Sequence, residues 1–149
     1  MPHIERTAAV VWEGNVARGA GSISAATSGA FSDLGLSLPT RIGQAEGKTS
    51  PQELLAAAHG GCVTMSLAGE LPSAGTPPGR LDVTCTVVMD EVEGQGHQIV
   101  GSRVAAVVTV EGLDEAALQL AIEKADESCP FSQLLKRAGA DVQITARLA

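Results

Sequence analysis

The sequence predicts an α+β domain in which antiparallel sheets surround one long, buried helix. Two observations carry this prediction. A helix-start signal at residues 50–53 opens an apolar stretch that continues to about residue 71 with little charge on any face. Alternating apolar and polar residues at 81–91, then a turn and a second apolar run at 99–110, are typical of an antiparallel hairpin. With 149 residues, the chain suits a single domain covering 1–149.

The N-terminal third is predicted to contain three extended segments. Residues 3–12 form the first strand, and a turn leads into a second strand at 16–26, which is rich in small residues. Residues 27–38 mix Ser, Gly and Leu and are predicted as a loop. Because Pro39 suits the first residue of a strand, residues 38–44 are predicted as a short extended segment.

The long helix has a well-defined predicted start. Ser50 can accept from exposed backbone N–H groups, Pro51 suits the first helical position, and Glu53 completes a capping box. Gly60 and Gly61 each cost a helix interior roughly 1 kcal/mol relative to Ala, which indicates that another backbone or a substrate comes close. Because the helix carries little charge on any face, it is predicted to be buried nearly all round, with a second subunit needed to cover part of it. One apolar stripe consists of Leu54, Ala58, Cys62, Met65 and Gly69.

The C-terminal half adds helices and a last strand. Residues 72–79 break the long helix, and Asp114 can cap a helix that follows the hairpin. A shorter helix is predicted from Pro130 to about residue 138, and a final strand at 141–148. Because hairpins dominate this order, it favours α+β over a βαβ winding.

Composition excludes several classes of function. The net charge of −7, the absence of a basic run and an aromatic fraction of 2% argue against nucleic acid binding. The N-terminus lacks the order of a signal peptide, and the apolar runs are too short to span a bilayer. We therefore expect a cytoplasmic protein with no membrane partner. Three cysteines, an odd number, point to redox or metal chemistry rather than structural disulfides.

Two of the cysteines occupy unusual places. Cys129 lies where one helix ends and the next begins, so the positive end of a helix dipole can lower its pKa. Cys62 lies in mid-helix, where no dipole end assists it. An ordinary thiol is only ~3% thiolate at neutral pH, and lowering its pKa to about 6 requires roughly 3.4 kcal/mol, of the order that one close guanidinium supplies. A free cysteine is also often a small, buried hydrophobic residue without reactivity. For Cys62 and Cys129, the reactive and the structural interpretations both stay open.

The remaining candidates have structural interpretations. Cys85 lies on the apolar side of an alternating strand and is interpreted as structural. His59 lies three residues before Cys62 and is interpreted as a residue of helix packing or hydrogen bonding rather than as a base. A zinc site including His59 is the rival, but the chain has no C-x-x-C pair. No metal or cofactor is therefore expected.

Two segments, 50–62 and 128–135, closely resemble the cysteine motifs of the OsmC/Ohr family (osmotically inducible protein C and organic hydroperoxide resistance protein). Residues 12–14 and 40–41 match as well, and the element order agrees over essentially the whole chain. The resemblance, nearest to the OsmC branch, implies an OsmC-like fold in an intertwined homodimer, with the long helices and both active sites at the subunit interface. It also implies a thiol-dependent peroxidase acting on organic hydroperoxides and, in some members, hydrogen peroxide.

The resemblance implies specific roles. Cys62 matches the peroxidatic cysteine, which becomes a sulfenic acid, and Cys129 the resolving cysteine, which joins it in an intrasubunit disulfide. Arg41 matches the arginine that stabilises the thiolate and the departing oxygen. An external thiol reductant, a lipoyl protein or another dithiol, would restore the pair. From the residues alone, Arg41 also fits a solvated charge on an edge strand.

One residue departs from the family pattern. Gln52 stands where the family usually has a glutamate that orients the arginine; an amide can accept from Arg41 but carries no charge. Glu46 in the preceding loop is a candidate substitute, whereas Glu53 points about 100° away around the helix. The alternative function is therefore a stress-accessory or small-molecule-binding dimer with weak or no peroxidase activity. A purely structural domain would require both cysteine motifs to be coincidental.

Overall fold

The computed structural model describes residues 3–74 and 77–149. The chain divides into two compact units, Met1–Leu54 and Leu55–Ala149. That residues 1–149 fold as one domain stays a prediction. Within the described ranges, no helix combines the length and the apolar character needed to cross a membrane.

The first unit contains a three-stranded antiparallel sheet in the order β1 (Ala8–Glu13), β2 (Ala20–Ala25) and β3 (Leu34–Leu36). The first two strands are confirmed, and each is shorter than predicted. β3 lies within residues 27–38, where a loop was predicted. All six residues of β1 are exposed in the single chain.

The extended segment predicted at residues 38–44 is wrong, because the chain forms helix α1 (Leu38–Ile42) there. The Ser37 side chain caps this helix by accepting from the backbone N–H of Thr40 at 3.4 Å. Pro39 falls in the first turn, where its missing N–H is not needed. A proline suits the start of a strand and the start of a helix alike, and the capping serine decides between them. Arg41 consequently lies on a helix rather than on an edge strand.

The long helix is confirmed as α2 (Pro51–Glu70) and leads into a 3-10 turn, Leu71–Ala74. The capping serine acts as predicted: Ser50 Oγ accepts from the backbone N–H of Glu53 at 3.2 Å. The carboxylate of Glu53 accepts from Thr49 Oγ1 at 2.9 Å. Of the predicted breaker at 72–79, residues 75 and 76 lie outside the described part of the chain.

The face of α2 that is buried within the single chain differs from the apolar stripe, and burial of the helix nearly all round by a second subunit stays a prediction. In the single chain Met65 is 72% exposed and Gly69 is exposed, while Cys62 is half-buried at the edge of the buried face. The helix therefore turns a different face to the core than hydrophobicity alone predicts, because a polar residue and a glycine take part in it. The buried residues are His59, Gly60, Val63 and Leu67.

The two helix glycines have different surroundings. A Cβ added to Gly60 would lie 3.0 Å from Cβ of Cys85, so the missing side chain lets the helix approach the neighbouring strand. The predicted close approach is confirmed at this residue. At Gly61 a Cβ would meet nothing within 4 Å in the single chain, so the close approach of a substrate or of a second subunit there stays a prediction.

The second unit contains a sheet in the order β4 (Arg80–Val92), β5 (Gly96–Thr109) and β6 (Asp141–Leu148). β4 and β5 form the predicted antiparallel hairpin. β5 and β6 are parallel, so the prediction of antiparallel pairing fails for this pair. The reason is the long connection through α3 (Glu115–Ser128) and α4 (Pro130–Arg137), which returns the chain to the same end of the sheet.

The helices α3 and α4 pack on β6 and meet at Cys129. The predicted cap of α3 is confirmed, since Asp114 Oδ1 accepts from the backbone N–H of Ala117 at 2.8 Å. Cys129 belongs to a small buried cluster with Val63 of α2 and Val104 of β5. A larger core lies beside it, formed by Leu67, Leu71, Ala106, Val108, Leu113, Leu118, Ala121, Ile122 and Ala125.

Candidate functional site

Cys62 and Cys129 lie in direct contact. Their sulfur atoms are 3.0 Å apart, and both are free thiols. A disulfide has an S–S distance of about 2.05 Å, so bond formation needs a movement of only about 1 Å. Cys62 is half-buried, whereas Cys129 is fully buried. Solvent and small reactants therefore reach Cys62 first.

The N-terminus of α4 faces both sulfur atoms. Cys129 lies at this N-terminus, as the sequence predicted, and it caps the helix: its Sγ accepts from the backbone N–H of Ser132 at 3.4 Å. The backbone N–H of Phe131 donates to Cys62. The expectation that no helix end assists Cys62 is therefore wrong: the assisting end belongs to α4, a different helix from the one that carries this cysteine.

The local surroundings nevertheless disfavour the Cys62 thiolate. Burial raises the pKa of the Cys62 thiol, the contact with Cys129 raises it further, and the N–H of Phe131 lowers it in partial opposition. The sequence-based argument required a lowered pKa for reactivity. A further positive group is thus required to hold this thiol as an anion at neutral pH.

His59 connects this part of α2 to its neighbours. The side chain is fully buried, with Nδ1 2.7 Å from Ser102 Oγ on β5 and Nε2 2.8 Å from Ser132 Oγ on α4. Burial lowers the pKa of His59. The predicted hydrogen-bonding role is confirmed. Among residues 3–74 and 77–149, no cluster of three His, Cys, Asp or Glu side chains is arranged to hold a metal.

The third cysteine lies beside this histidine. Cys85 Sγ is 3.4 Å from Ser102 Oγ and 3.9 Å from His59 Nδ1, and its side chain is half-buried on β4. The sequence reasoning missed Ser102 and Ser132. A signal was present for Ser102: it occupies a core-facing position of β5, in line with Val104, and a buried hydroxyl requires a polar partner.

Arg41 and Gln52 form the second predicted pair, within the first unit. Arg41 Nε donates to Gln52 Oε1 at 3.1 Å, from an exposed position on α1 to a half-buried one in the first turn of α2. Glu53 is engaged with Thr49. Glu46 lies on an exposed loop with φ of 49°. The residue that departs from the family pattern is thus hydrogen-bonded to the arginine as an amide acceptor.

A pocket of about 160 Å³ lies beside Arg41 in the same unit. Because its walls are apolar apart from this guanidinium and Ser37, the pocket can hold a short hydrocarbon group next to a positive charge. The apolar side chains that line it are Trp12, Val16, Leu36, Leu38 and Pro51.

Comparison with known proteins agrees with the motifs and the fold. Residues 43–145 match the sequence model of the family described as OsmC-like protein. The chain is 37% identical over 125 residues to peroxiredoxin OsmC of Escherichia coli (strain K12), covering 84% of this chain and 85% of that protein. It is 30% identical over 115 residues to an organic hydroperoxide resistance protein of Xanthomonas axonopodis pv. citri (strain 306), covering 76% of this chain and 78% of that protein.

The fold is similar to that of solved structures. An organic hydroperoxide resistance protein from Elizabethkingia anophelis aligns over 100% of both chains with a TM-score of 0.73 at 22% identity, a likeness of fold alone. The α+β architecture predicted from the sequence is therefore confirmed. The match of the family model over most of the chain, together with these relatives, shows that the chain belongs to the OsmC-like protein family.

Proposed function

We propose that this protein is a thiol-dependent peroxidase that reduces organic hydroperoxides. The observation that carries the proposal is the 3.0 Å contact between an accessible thiol and a buried one. Relatives named peroxiredoxin and organic hydroperoxide resistance protein support it. The apolar pocket beside Arg41 supports an organic substrate, since hydrogen peroxide has no hydrocarbon group to place there.

The proposed reaction has two steps on the protein. The Cys62 thiolate attacks one peroxide oxygen, the O–O bond breaks, and an alcohol leaves after taking up a proton, so that Cys62 becomes a sulfenic acid. The Cys129 thiol then attacks this sulfur, water leaves, and the disulfide forms. An external dithiol, such as a lipoyl protein, reduces the disulfide by thiol–disulfide exchange. A reducing cytoplasm would supply such a dithiol.

In this proposal Arg41 supplies the positive charge that the Cys62 thiolate requires. The raised pKa of Cys62 creates this requirement. Gln52 would orient the guanidinium through its carbonyl oxygen, at the 3.1 Å distance observed. A neutral amide orients more weakly than a carboxylate would, so we expect slower turnover than a glutamate would give.

We also propose that the protein is a homodimer. Large apolar side chains are exposed in the single chain, with Val10 and Val11 of β1 at 61% and 59% and Met65 of α2 at 72%. A second subunit that covers these strand and helix surfaces would remove them from water. Light scattering should then give twice 15.1 kDa. A mass of one chain at micromolar concentration would contradict the dimer.

Turnover with a defined peroxide tests the peroxidase. We expect the protein to consume cumene or tert-butyl hydroperoxide with dithiothreitol as reductant, and Cys62→Ser to lower the rate about a thousandfold or more because the nucleophile is lost. Cys85→Ser is the matched control, a cysteine interpreted as structural, and should keep the wild-type rate.

The alternative function predicts a different outcome of the same assay. A stress-accessory or small-molecule-binding dimer would leave the hydroperoxide intact in the wild type, because Gln52 cannot orient Arg41 well enough for catalysis. Wild-type protein without turnover, or Cys62→Ser with unchanged turnover, would contradict the peroxidase.

A further inference from the structure

Two contacts join α2 to the first turn of α4, and they are spaced alike. Cys62 meets Cys129 at 3.0 Å, and His59 Nε2 meets Ser132 Oγ at 2.8 Å. His59 lies three residues before Cys62 in the sequence, and Ser132 lies three residues after Cys129. The histidine contact fixes the distance between the same two segments that the sulfur atoms must bridge.

We propose that His59 and Ser132 form a positioning pair that holds Cys129 against Cys62 for the disulfide-forming step. This inference rests on the proposed peroxidase function and adds a determinant of its second step. Neither residue takes part in the covalent chemistry. They act through the position of Cys129.

Ser132 is suited to this role because it makes two contacts from one residue. Its backbone N–H donates to Cys129 Sγ at 3.4 Å, while its hydroxyl bonds His59. Ser132, His59 and Cys129 are all fully buried. A hydrogen bond in such surroundings is stronger than in water, and a broken one leaves an unsatisfied polar group. A shift of the first turn of α4 away from α2 would therefore disrupt both contacts.

The opposite side of the imidazole provides a natural control. Nδ1 bonds Ser102 Oγ at 2.7 Å, on a strand that carries neither reacting sulfur. Serine hydroxyls donate or accept, so a neutral ring is satisfied by both serines at once. Ser102 and Ser132 are equally buried. Replacing either one by alanine removes the same group from the same ring, but only Ser132 lies on the segment that carries Cys129.

The sulfenic acid at Cys62 has two competing fates. Attack by the Cys129 thiol forms the S–S bond and releases water. Attack on a second hydroperoxide instead transfers one oxygen to sulfur, which gives the sulfinic acid and releases an alcohol. The ratio of sulfinic acid to disulfide therefore reports how well Cys129 is placed, independently of how fast the first step occurs.

The experiment compares Ser132→Ala with Ser102→Ala. Each protein is treated with excess cumene hydroperoxide without reductant, and mass spectrometry measures both products. We expect Ser132→Ala to raise the ratio of sulfinic acid to disulfide about fivefold or more, the effect of losing one buried hydrogen bond. Ser102→Ala should keep the wild-type ratio even though it loses stability. A wild-type ratio in Ser132→Ala, or equal increases in both variants, would overturn the proposal.

Variants of the histidine give a second, independent reading, which decides the question if Ser132→Ala does not fold. His59→Asn places its amide near the position of Nδ1 and keeps the reach to Ser102, whereas His59→Gln extends toward Ser132. We expect a raised ratio in His59→Asn and a return toward wild type in His59→Gln, whereas equal ratios would contradict positioning. Wild-type protein that forms neither product would contradict the peroxidase itself, an outcome distinct from failure of the positioning pair.

Discussion

The thiol pair and the guanidinium–amide pair are held in contrasting ways. Cys129, His59 and Ser132 are fully buried and linked by contacts that lie within one unit of the protein. Arg41 is exposed on a helix of five residues, and its partner Gln52 is half-buried. One pair is fixed by the core, and the other is held by hydrogen bonds open to water.

The contrast separates geometry from charge. Contacts inside a core keep their distances because any shift leaves polar groups unsatisfied. Exposed charged groups are screened by solvent and salt, so small changes in their partners alter their effect in a graded way. Substitutions at the thiol pair should therefore remove the reaction or redirect it, while substitutions at the guanidinium pair should adjust the rate.

Gln52→Glu is the substitution that sharpens this comparison most. The present bond already has a charged donor, and a carboxylate at residue 52 would add a charged acceptor, so that an ion pair would hold Arg41 Nε more strongly than the amide does. We expect kcat/KM for cumene hydroperoxide to rise about fivefold to tenfold, equivalent to roughly 1 kcal/mol of transition-state stabilisation.

The control for this change is the same substitution without its partner. Arg41→Ala should lower kcat/KM by about a hundredfold through loss of a charged contact, and Gln52→Glu should then give no gain in that background. The four proteins form a double-mutant cycle. An equal gain with and without Arg41 would show that the carboxylate acts by another route.

The sequence predicted where the helices and strands lie better than it predicted which of their sides are buried and how they pair. Capping residues are local signals, and Ser50 and Asp114 act as predicted. The face of α2 that is buried within one chain depends on what packs against it, so the apolar stripe includes Met65 and Gly69, which are exposed in the single chain. The parallel pairing of β6 likewise depends on the path through two helices, which a count of hairpins does not reveal.

The candidate site was predicted in part. Both cysteines were singled out by their motifs, and their contact at 3.0 Å is a fact of tertiary structure that no spacing rule could supply. The role of Arg41 stays a prediction. Ser102 and Ser132 were not predicted, because a single serine hardly changes an apolar sequence pattern. The help that Phe131 gives Cys62 comes from a backbone N–H, which every residue except proline carries.

The smallest expected effect concerns stability and belongs to the buried side of the comparison. Burial lowers the pKa of His59 below its ordinary value of 6.5; Asp126 on α3 opposes this and Lys136 on α4 reinforces it. As the pH falls through 6.5, the unfolded chain binds a proton at this histidine before the folded protein does. The stabilisation is therefore complete above pH 6.5 and is lost as the pH falls toward the folded-state pKa, by at most about 1.4 kcal/mol per pH unit.

Urea unfolding between about pH 7.5 and about pH 5, a range that spans the ordinary histidine pKa, measures this loss. His59→Asn cannot ionise, so its stability should fall less steeply with decreasing pH than that of the wild type, although it is lower at pH 7 because Ser132 loses its partner. Parallel curves for His59→Asn and wild type would mean that the buried imidazole takes up its proton as readily in the folded protein as in the unfolded chain. Burial of His59 would then make no pH-dependent contribution to the stability of the folded protein.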